Sequence, residues 1–387
     1  MIPLRNLKRS LVKSIKQPAY ACKALQQRLF SYLTYRLFNG YSSSPETVSL
    51  LLTNRCNLRC KMCGQWGEGG TSKRMTPEKL KSELTLKEIG EIINSVRPFK
   101  PTITLFGGEP LLYKEWDKVV SSIKRAGMRC NMITNGTLLE KNAVSIVNCG
   151  IDEIIFSLDG PRDIHDEIRN AVGTFDRAYK GLKLVRDLKE ETASRKPVIN
   201  ISSTIFEANY KHLDEIITVA EELQASTITF HHLIFLDREM YNQHNDLFSN
   251  HFGLRCEDWG GFVRESLPDI DVDYLIQKIT ELNSKRRNID VSFYPNFTHE
   301  EIKKYYTEFV FNSSSYRKRC LSPWMVSYIF PDGSVRPCQS QNFSAGNVKE
   351  DSFRTIWNNK AYKRYRKITK ETLTYPACSR CTELYRF

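Results

Sequence analysis

Short apolar runs alternate with amphipathic segments along the chain from residue 46. Six runs have the composition of strands: TVSLLLT, ITLFGGEP, RCNMITNGT, EIIFSLDG, VINISSTIF and TITFHHLIF. The segments between them repeat apolar positions at helical spacing, as in LKEIGEIINSV, EWDKVVSSIKRAG, FDRAYKGLKLVRDLKE and NYKHLDEIITVAEEL. This alternation predicts an α/β fold with a parallel sheet, either open or curled into a partial (β/α)6 barrel.

The unusual motifs of this region all follow predicted strands. A cysteine loop follows the first strand, GGEP the second, TNGT the third and SLDG the fourth. Parallel sheets bind their ligands at the carboxyl ends of the strands. The sequence therefore predicts one functional site at this edge of the sheet.

The whole chain divides into four parts by composition. Residues 1–45 form a basic arm, 46–236 the α/β core, and 237–319 a bridging or substrate-facing segment with a helix near Asp273–Lys285. Residues 320–387 form a small, cysteine-containing α+β domain with a hairpin turned at Asp332 and Gly333. The expected helix of this domain carries its apolar stripe at Phe353, Trp357, Ala361, Tyr365 and Ile368.

The chain is basic, and the charge is concentrated in the arm. Lys and Arg outnumber Asp and Glu by 57 to 44, which favours anionic partners. Leu4, Leu7, Leu11 and Ile15 follow helical spacing with basic residues on the other face. Residues 1–40 could lie on an anionic membrane surface, cover the bottom of the core, or be an organelle transit peptide. The basic run KAYKRYRKITK is better explained as the solvated face of a packed helix, so no nucleic acid is expected.

Eleven cysteines indicate a reduced compartment, which is expected to be the cytoplasm. Seven of them form two groups, Cys56-x3-Cys60-x2-Cys63 and Cys320, Cys338, Cys378 and Cys381. A structural zinc site needs four ligands, which only the second group supplies. Iron–sulfur clusters also bind cysteine thiolates, and a cubane held by three cysteines leaves one iron open for a ligand.

The cysteine loop and GGEP, in this order and at these strand ends, resemble the radical S-adenosylmethionine (SAM) superfamily over residues 46 to about 235. The resemblance implies a [4Fe–4S] cluster on Cys56, Cys60 and Cys63, whose open iron binds SAM. It also implies an external one-electron reductant of the flavodoxin or ferredoxin type. Reductive cleavage of SAM would give a 5′-deoxyadenosyl radical that abstracts hydrogen from a carbon of the substrate.

The resemblance also implies roles for single residues. In GGEP, which ends at Pro110, the segment Gly107, Gly108 and Glu109 would meet the methionyl amine of SAM. Ser157 and Asp159 would lie at the ribose, Arg169 at the carboxylate, and Asn135 would line the pocket. Met62 stands where members of the family often have an aromatic residue near the adenine.

The C-terminal cysteines resemble the auxiliary-cluster domains called SPASM and twitch. This implies a second [4Fe–4S] cluster, held by Cys320, Cys338, Cys378 and Cys381, that passes electrons. Removal of a second electron from the substrate would make the outcome an oxidation. Cys256, which follows the sixth strand, could instead return a hydrogen atom and give epimerisation, although a packed thiol is its ordinary explanation.

The expected substrate is a small molecule: a sugar, a lipid-linked compound or a specialised metabolite. A peptide-modifying enzyme is the alternative within the superfamily, although the first 45 residues do not resemble a winged helix that binds leader peptides. The non-enzymatic alternative is a zinc-stabilised protein that binds nucleic acid or a membrane. The protein is expected in the cytoplasm, either free or peripheral at a membrane surface.

Overall fold

A ten-stranded sheet forms the centre of the computed structural model, which describes residues 18–387. The strand order is β10-β9-β8-β1-β2-β3-β4-β5-β6-β7. The strands are β1 (Thr47–Thr53), β2 (Thr102–Gly107), β3 (Arg129–Thr134), β4 (Glu153–Ser157), β5 (Val198–Thr204), β6 (Thr227–His231), β7 (Asp290–Tyr294), β8 (Val326–Ile329), β9 (Ser334–Arg336) and β10 (Gly346–Asn347).

Helices connect the parallel strands and flank the sheet. They are α1 (Pro18–Leu37), α2 (Pro77–Lys81), α3 (Leu86–Val96), α4 (Trp116–Arg125), α5 (Leu139–Asn148), α6 (Arg162–Arg169), α7 (Thr174–Glu191), α8 (Leu213–Glu222), α9 (Arg238–Phe252), α10 (Val272–Ser284), α11 (His299–Thr307), α12 (Ser322–Met325), α13 (Phe353–Ile356) and α14 (Lys360–Thr372). Within residues 18–387, none of them is both long and apolar enough to cross a bilayer.

The six predicted strands are confirmed as β1 to β6, all paired in parallel. The α/β fold with a C-terminal auxiliary domain is confirmed with them. The structure adds a seventh parallel strand, β7, which pairs with β6 and comes from the bridging segment 237–319. The helix predicted there near Asp273–Lys285 is α10. The sequence of β7, DVSFY, is short and mixes polar with apolar residues, so its pattern does not predict a strand.

The C-terminal domain extends the same sheet at its other end. β8 pairs in parallel with β1, from Thr47 opposite Val326 to Leu50 opposite Ile329. β8 and β9 then form the predicted hairpin, where Gly333 takes a φ of 89° that favours glycine. The core and the auxiliary domain therefore share one hydrogen-bonded sheet.

The single helix predicted across Phe353 to Ile368 is wrong, because the structure has two helices there, α13 and α14. The break has a local cause: the side chain of Asn359 accepts a hydrogen bond from the Tyr362 backbone amide and starts a new helix. The predicted apolar stripe is nevertheless packed inward, with Phe353, Trp357 and Tyr365 buried.

The described part of the arm is α1, since residues 1–17, with their predicted basic amphipathic helix, lie outside the described residues. One face of α1 packs on the auxiliary domain through Tyr35, whose ring lies 5.0 Å from that of Trp324. Arg28 binds the buried Glu46 at 2.6 Å, which ties the helix to the start of the core. The packing explanation of residues 18–38 is therefore confirmed for one face of the helix.

Arg366 of α14 connects the arm and the auxiliary domain from a fully buried position. Its guanidinium donates to the carbonyl oxygens of Pro323, Gly40 and Trp357 at 2.8, 3.2 and 2.9 Å. Burial lowers the pKa of Arg366 to about 9, because desolvation disfavours its charged form. The carbonyl contacts offset part of this cost of desolvation.

We expect Arg366→Met to lower the free energy of unfolding by about 3 kcal/mol, because several buried carbonyl groups lose their donor. Anaerobic urea unfolding measures the change. Lys367→Met, at a half-exposed position of the same helix, is the control and should stay within about 0.5 kcal/mol of the parent. Equal stabilities of the two variants would contradict the role given to Arg366.

Candidate active site

The cysteine loop leaves the carboxyl end of β1 and is held by the helix that carries Arg169. The backbone amide of Lys61 donates to the Ile168 carbonyl of α6 at 2.9 Å. Arg169 Nη1 lies 3.7 Å from the Cys60 sulfur, and Asn135 Nδ2 lies 4.0 Å from the Cys56 sulfur. The loop, β3 and α6 therefore meet at one point, as the strand-end motifs predict.

The two glycines of GGEP bring β2 against the cysteine loop. A Cβ at Gly107 would lie 2.4 Å from the Thr53 carbonyl oxygen, and one at Gly108 would lie 2.0 Å from that of Arg55. The amides of Gly108 and Glu109 donate to those same oxygens, both at 2.9 Å. A side chain at either glycine would push the two loops apart, so both glycines are needed for this backbone contact.

Glu109 joins the ends of β2 and β3 beneath the cavity. It is fully buried and accepts hydrogen bonds from Asn135 N at 2.8 Å, Thr134 Oγ1 at 2.8 Å and Leu111 N at 3.2 Å. Burial raises the pKa of Glu109 to about 7. The three hydrogen bonds oppose this rise, because they stabilise the carboxylate. The side chain braces the strand ends, and Pro110 beside it is also buried.

Arg169 is the charged side chain nearest the thiols. It forms an ion pair with the buried Asp159 and keeps its Nε without a hydrogen-bond partner among the described residues. Asp159 also accepts from the Thr204 amide at 2.8 Å. Burial and Arg169 act in opposite directions on the pKa of Asp159, and the net result is a raised pKa. Asp159 therefore holds the guanidinium of Arg169 in place, with its Nη1 beside the Cys60 sulfur.

A cavity of about 320 Å³ lies at the carboxyl ends of β1 to β4. Of the residues predicted for the site, the lining contains Cys56, Cys60, Cys63, Gly107, Gly108, Asn135, Ser157 and Arg169. Glu109, Pro110, Asp159 and Met62 are not in the lining formed by residues 18–387. The structure thus gathers the core cysteines and five of the nine residues predicted to bind SAM around one cavity.

Sequence patterns do not predict a further part of the lining, which we call the second wall. It is formed by Trp66, Asp258, Phe262, Phe330, Gln339 and Ser340. Trp66 is oriented by Arg59, whose guanidinium stacks on its ring at 3.6 Å. Gln339 and Ser340 follow Cys338 directly, so the auxiliary domain contributes to the cavity that the core cysteines open onto.

The four C-terminal cysteines form the second thiol group. Burial raises the pKa of Cys378 to about 11 and that of Cys381 to about 12. It also raises the pKa of Cys320 and Cys338 well above the ordinary value, and the neighbouring cysteines add to this rise. The four residues are thus close enough to interact electrostatically, as the spacing predicts.

Both thiol groups suit an iron–sulfur cluster in their donor chemistry. Burial raises the pKa of Cys56 to about 11 as well, so these thiolates need compensating positive charge, which iron supplies. Within residues 18–387, no three His, Cys, Asp or Glu side chains converge on the position of one metal ion. A cluster needs its thiolates farther apart, since each ligand binds a different iron atom.

Cys256 packs against Ser340 of the second wall. Its side chain is fully buried, its sulfur lies 3.3 Å from the Ser340 carbonyl oxygen, and it is not in the lining that the described residues form. Burial raises the pKa of its thiol strongly. This placement favours the ordinary explanation of a packed thiol.

A second cavity, of about 330 Å³, lies beside β7 and is lined by His232, Asn283, Asn296 and His299, among others. No thiol is in its lining within the described residues. The cysteine-lined cavity is therefore the candidate active site.

Two family models match the chain. Residues 50–220 match the radical SAM superfamily, and residues 320–382 match the SPASM iron–sulfur cluster-binding domain. The chain is 27% identical over 321 residues to the Fe-coproporphyrin III synthase of Methanosarcina barkeri, covering 79% of this chain and 72% of that protein. It is 26% identical over 324 residues to an AdoMet-dependent heme synthase of the same organism, covering 82% and 83%.

The fold is also similar to that of a solved structure. SuiB of Streptococcus suis bound to S-adenosylmethionine matches with a TM-score of 0.60 and 15% identity, covering 88% of this chain and 71% of SuiB. The family matches support iron–sulfur ligation over the zinc-stabilised, non-enzymatic alternative. The chain belongs to the radical SAM superfamily and carries a C-terminal SPASM domain, so it is a radical SAM enzyme that uses [4Fe–4S] clusters and S-adenosylmethionine.

Proposed function

We propose that this enzyme oxidises a small molecule, such as a sugar, a lipid-linked compound or a specialised metabolite, at a carbon centre. One observation carries the proposal: the cavity that the core cysteines line is also lined by residues of the auxiliary domain. Cys56, Cys60 and Cys63 line one part of it, and Gln339 and Ser340, next to Cys338, belong to the second wall. A substrate held there would be near both redox centres.

In this proposal Cys56, Cys60 and Cys63 hold one cluster, and Cys320, Cys338, Cys378 and Cys381 hold the other. When bound, the first cluster and SAM supply a 5′-deoxyadenosyl radical that takes hydrogen from carbon, and the auxiliary cluster supplies an acceptor for the second electron. An external one-electron reductant would start each turnover.

The chain's own residues position SAM in this proposal. Arg169 is fixed by Asp159 and belongs to the cavity lining, where its guanidinium would bind the carboxylate of SAM. Ser157 and Asn135 supply polar groups to the same lining, and the glycine pair leaves backbone atoms uncovered there. In this proposal Met62, Glu109 and Asp159 have indirect roles, because they are outside the lining that the described residues form.

Oxidation is favoured over epimerisation by the position of Cys256. A hydrogen donor has to reach the substrate radical, and Cys256 lies outside the cavity lining of the described residues. A peptide substrate is the second candidate, since SuiB has been solved bound to its precursor peptide SuiA.

We also propose that α1 binds an anionic lipid surface. Of the thirteen large apolar side chains exposed in residues 18–387, seven lie in or just after this helix: Leu25, Leu29, Phe30, Leu33, Leu37, Phe38 and Tyr41. Leu25, Leu29, Leu33 and Leu37 repeat every four residues and so form one stripe. Arg319 lies 5.2 Å from the Tyr32 ring and Lys370 donates to the Tyr35 carbonyl, which puts cations beside this helix.

We expect about eight irons per anaerobically purified chain, because seven cysteines can hold two cubane clusters. Cys60→Ala and Cys381→Ala should each lower this to about four irons. Cys60→Ala should also abolish formation of 5′-deoxyadenosine from SAM under reducing conditions. Iron and sulfide analysis and liquid chromatography measure these outcomes. Cys22→Ser, at an exposed cysteine, is the control and should match the parent.

We expect Cys256→Ser to leave the product and its isotope content unchanged, because this thiol is walled off from the cavity. Turnover in deuterated water followed by mass spectrometry tests this. The oxidised product should carry no solvent deuterium at the reacting carbon. Deuterium retained at an inverted carbon in the parent, and lost in Cys256→Ser, would instead establish an epimerase.

We expect the double variant Leu29→Asp/Leu33→Asp to bind vesicles that contain phosphatidylserine at least about tenfold more weakly, since burying two carboxylates in a lipid interface is costly. Vesicle co-sedimentation measures the change. Val144→Asp, at an exposed apolar position of α5, is the matched control and should bind like the parent. Unchanged binding of the double variant would reject this surface.

A further inference from the structure

The second wall of the cavity carries a carboxylate that the proposed chemistry does not yet use. Asp258 belongs to the 3-10 helix Glu257–Phe262 and lines the cavity. Its side chain is 17% exposed, and Arg336 Nη1 of β9 lies 3.3 Å from one of its oxygens. A core-proximal loop and the auxiliary hairpin thus meet at this ion pair.

Arg336 stands behind Asp258, since it is not in the lining that the described residues form. Its guanidinium stacks 3.8 Å from the centre of the Phe330 ring, which fixes its plane. Burial raises the pKa of Asp258, and Arg336 opposes that rise by stabilising the carboxylate. The two charges compensate each other, so the wall presents an oxygen acceptor with little net charge.

The carboxylate of Asp258 keeps spare hydrogen-bonding capacity on its cavity side. A carboxylate offers about four lone-pair directions, and Arg336 occupies one of them with a long contact. Gln339 and Ser340 beside it are polar side chains of the same lining, and Phe262 and Phe330 add aromatic surface. This wall combines a hydrogen-bond acceptor, an amide, a hydroxyl and apolar faces.

Three kinds of ligand group could meet such a wall. An anion needs hydrogen-bond donors, which the carboxylate of Asp258 lacks, and an ammonium ion would meet a carboxylate whose charge Arg336 already compensates. A neutral hydroxyl group can donate to Asp258 and accept from the amide of Gln339, and it adds no unpaired charge to a buried site. A ring that carries several hydroxyl groups would also use the aromatic faces.

We propose that Asp258 binds a hydroxyl group of a neutral polyhydroxylated ring, a sugar or a cyclitol, with Arg336 as the positioning residue behind it. This inference rests on the proposed function and narrows its substrate class. Asp258 and the three cysteines Cys56, Cys60 and Cys63 line the same cavity, so a ring bound at Asp258 would share that cavity with the first cluster and SAM.

Binding of simple ring compounds tests the proposal without turnover. The probes are myo-inositol and methyl β-D-glucopyranoside as neutral rings, glucosamine as the cation and glucuronate as the anion. Calorimetry with the anaerobically reconstituted protein and SAM should show binding of the neutral rings at least about tenfold tighter than of the charged ones. Loss of one hydrogen bond to a charged acceptor in Asp258→Asn should weaken neutral-ring binding by about 10- to 100-fold.

Glu257→Gln is the matched control, because Glu257 is the adjacent carboxylate and is 59% exposed. It should bind the neutral rings like the parent. Arg336→Met should weaken binding by about tenfold, and Arg336→Lys, which keeps the positive charge, should restore most of it. Failure of the lysine variant to restore binding would remove the positioning role from Arg336.

Tighter binding of glucosamine or glucuronate, binding of none of the four probes, or equal effects of Asp258→Asn and Glu257→Gln would overturn the proposal. The selectivity of the parent protein decides the matter even where Asp258→Asn does not fold. Formation of 5′-deoxyadenosine is measured separately on the parent. Its absence would refute the proposed function, whereas its presence without polyol binding would refute only the substrate class.

Discussion

The backbone ladder on both sides of β1 is the constraint on which the rest of the structure depends. β1 pairs in parallel with β2 on one side and with β8 on the other, and all seven of its residues are buried. The core cysteine loop starts at its carboxyl end, and β8 leads into the hairpin that precedes Cys338. A shift in either ladder would move one cysteine group relative to the other and change the cavity between them.

Two ion pairs compensate buried charge around that cavity, and each pair has one member in the cavity lining. Asp159 pairs with Arg169 beside Cys60, and Arg336 pairs with Asp258 of the second wall. In each pair the member outside the lining fixes the orientation of the member in it without adding net charge. Among residues 18–387, the side chains in contact with the core thiols are the cation Arg169 at Cys60 and the neutral amide of Asn135 at Cys56, so the three thiolates are only partly compensated. Their charge balance is left to iron.

Much of the fold and part of the site could be predicted from local pattern. The six strands, the hairpin at Asp332 and Gly333, and the meeting of the strand-end motifs follow from periodicity and from the geometry of parallel sheets. The direction of side chains beyond the strand ends could not be predicted, because alternation stops where the strand stops. Glu109, Asp159 and Met62 are outside the lining that residues 18–387 form, whereas Ser157, the last residue of its strand, is in it.

The sequence by itself determined the chemistry of the chain. Cysteine spacing sets three thiols in one group and four in the other, and the glycine pair marks a close backbone contact. Only the tertiary structure decided what faces that chemistry: Asp258, Phe330, Gln339 and Ser340 come together from segments far apart in the chain. The physical reason is that the spacing of the cysteines is a local property of the sequence. The second wall depends on the long-range pairing of β8 with β1, and that pairing cannot be read from sequence periodicity.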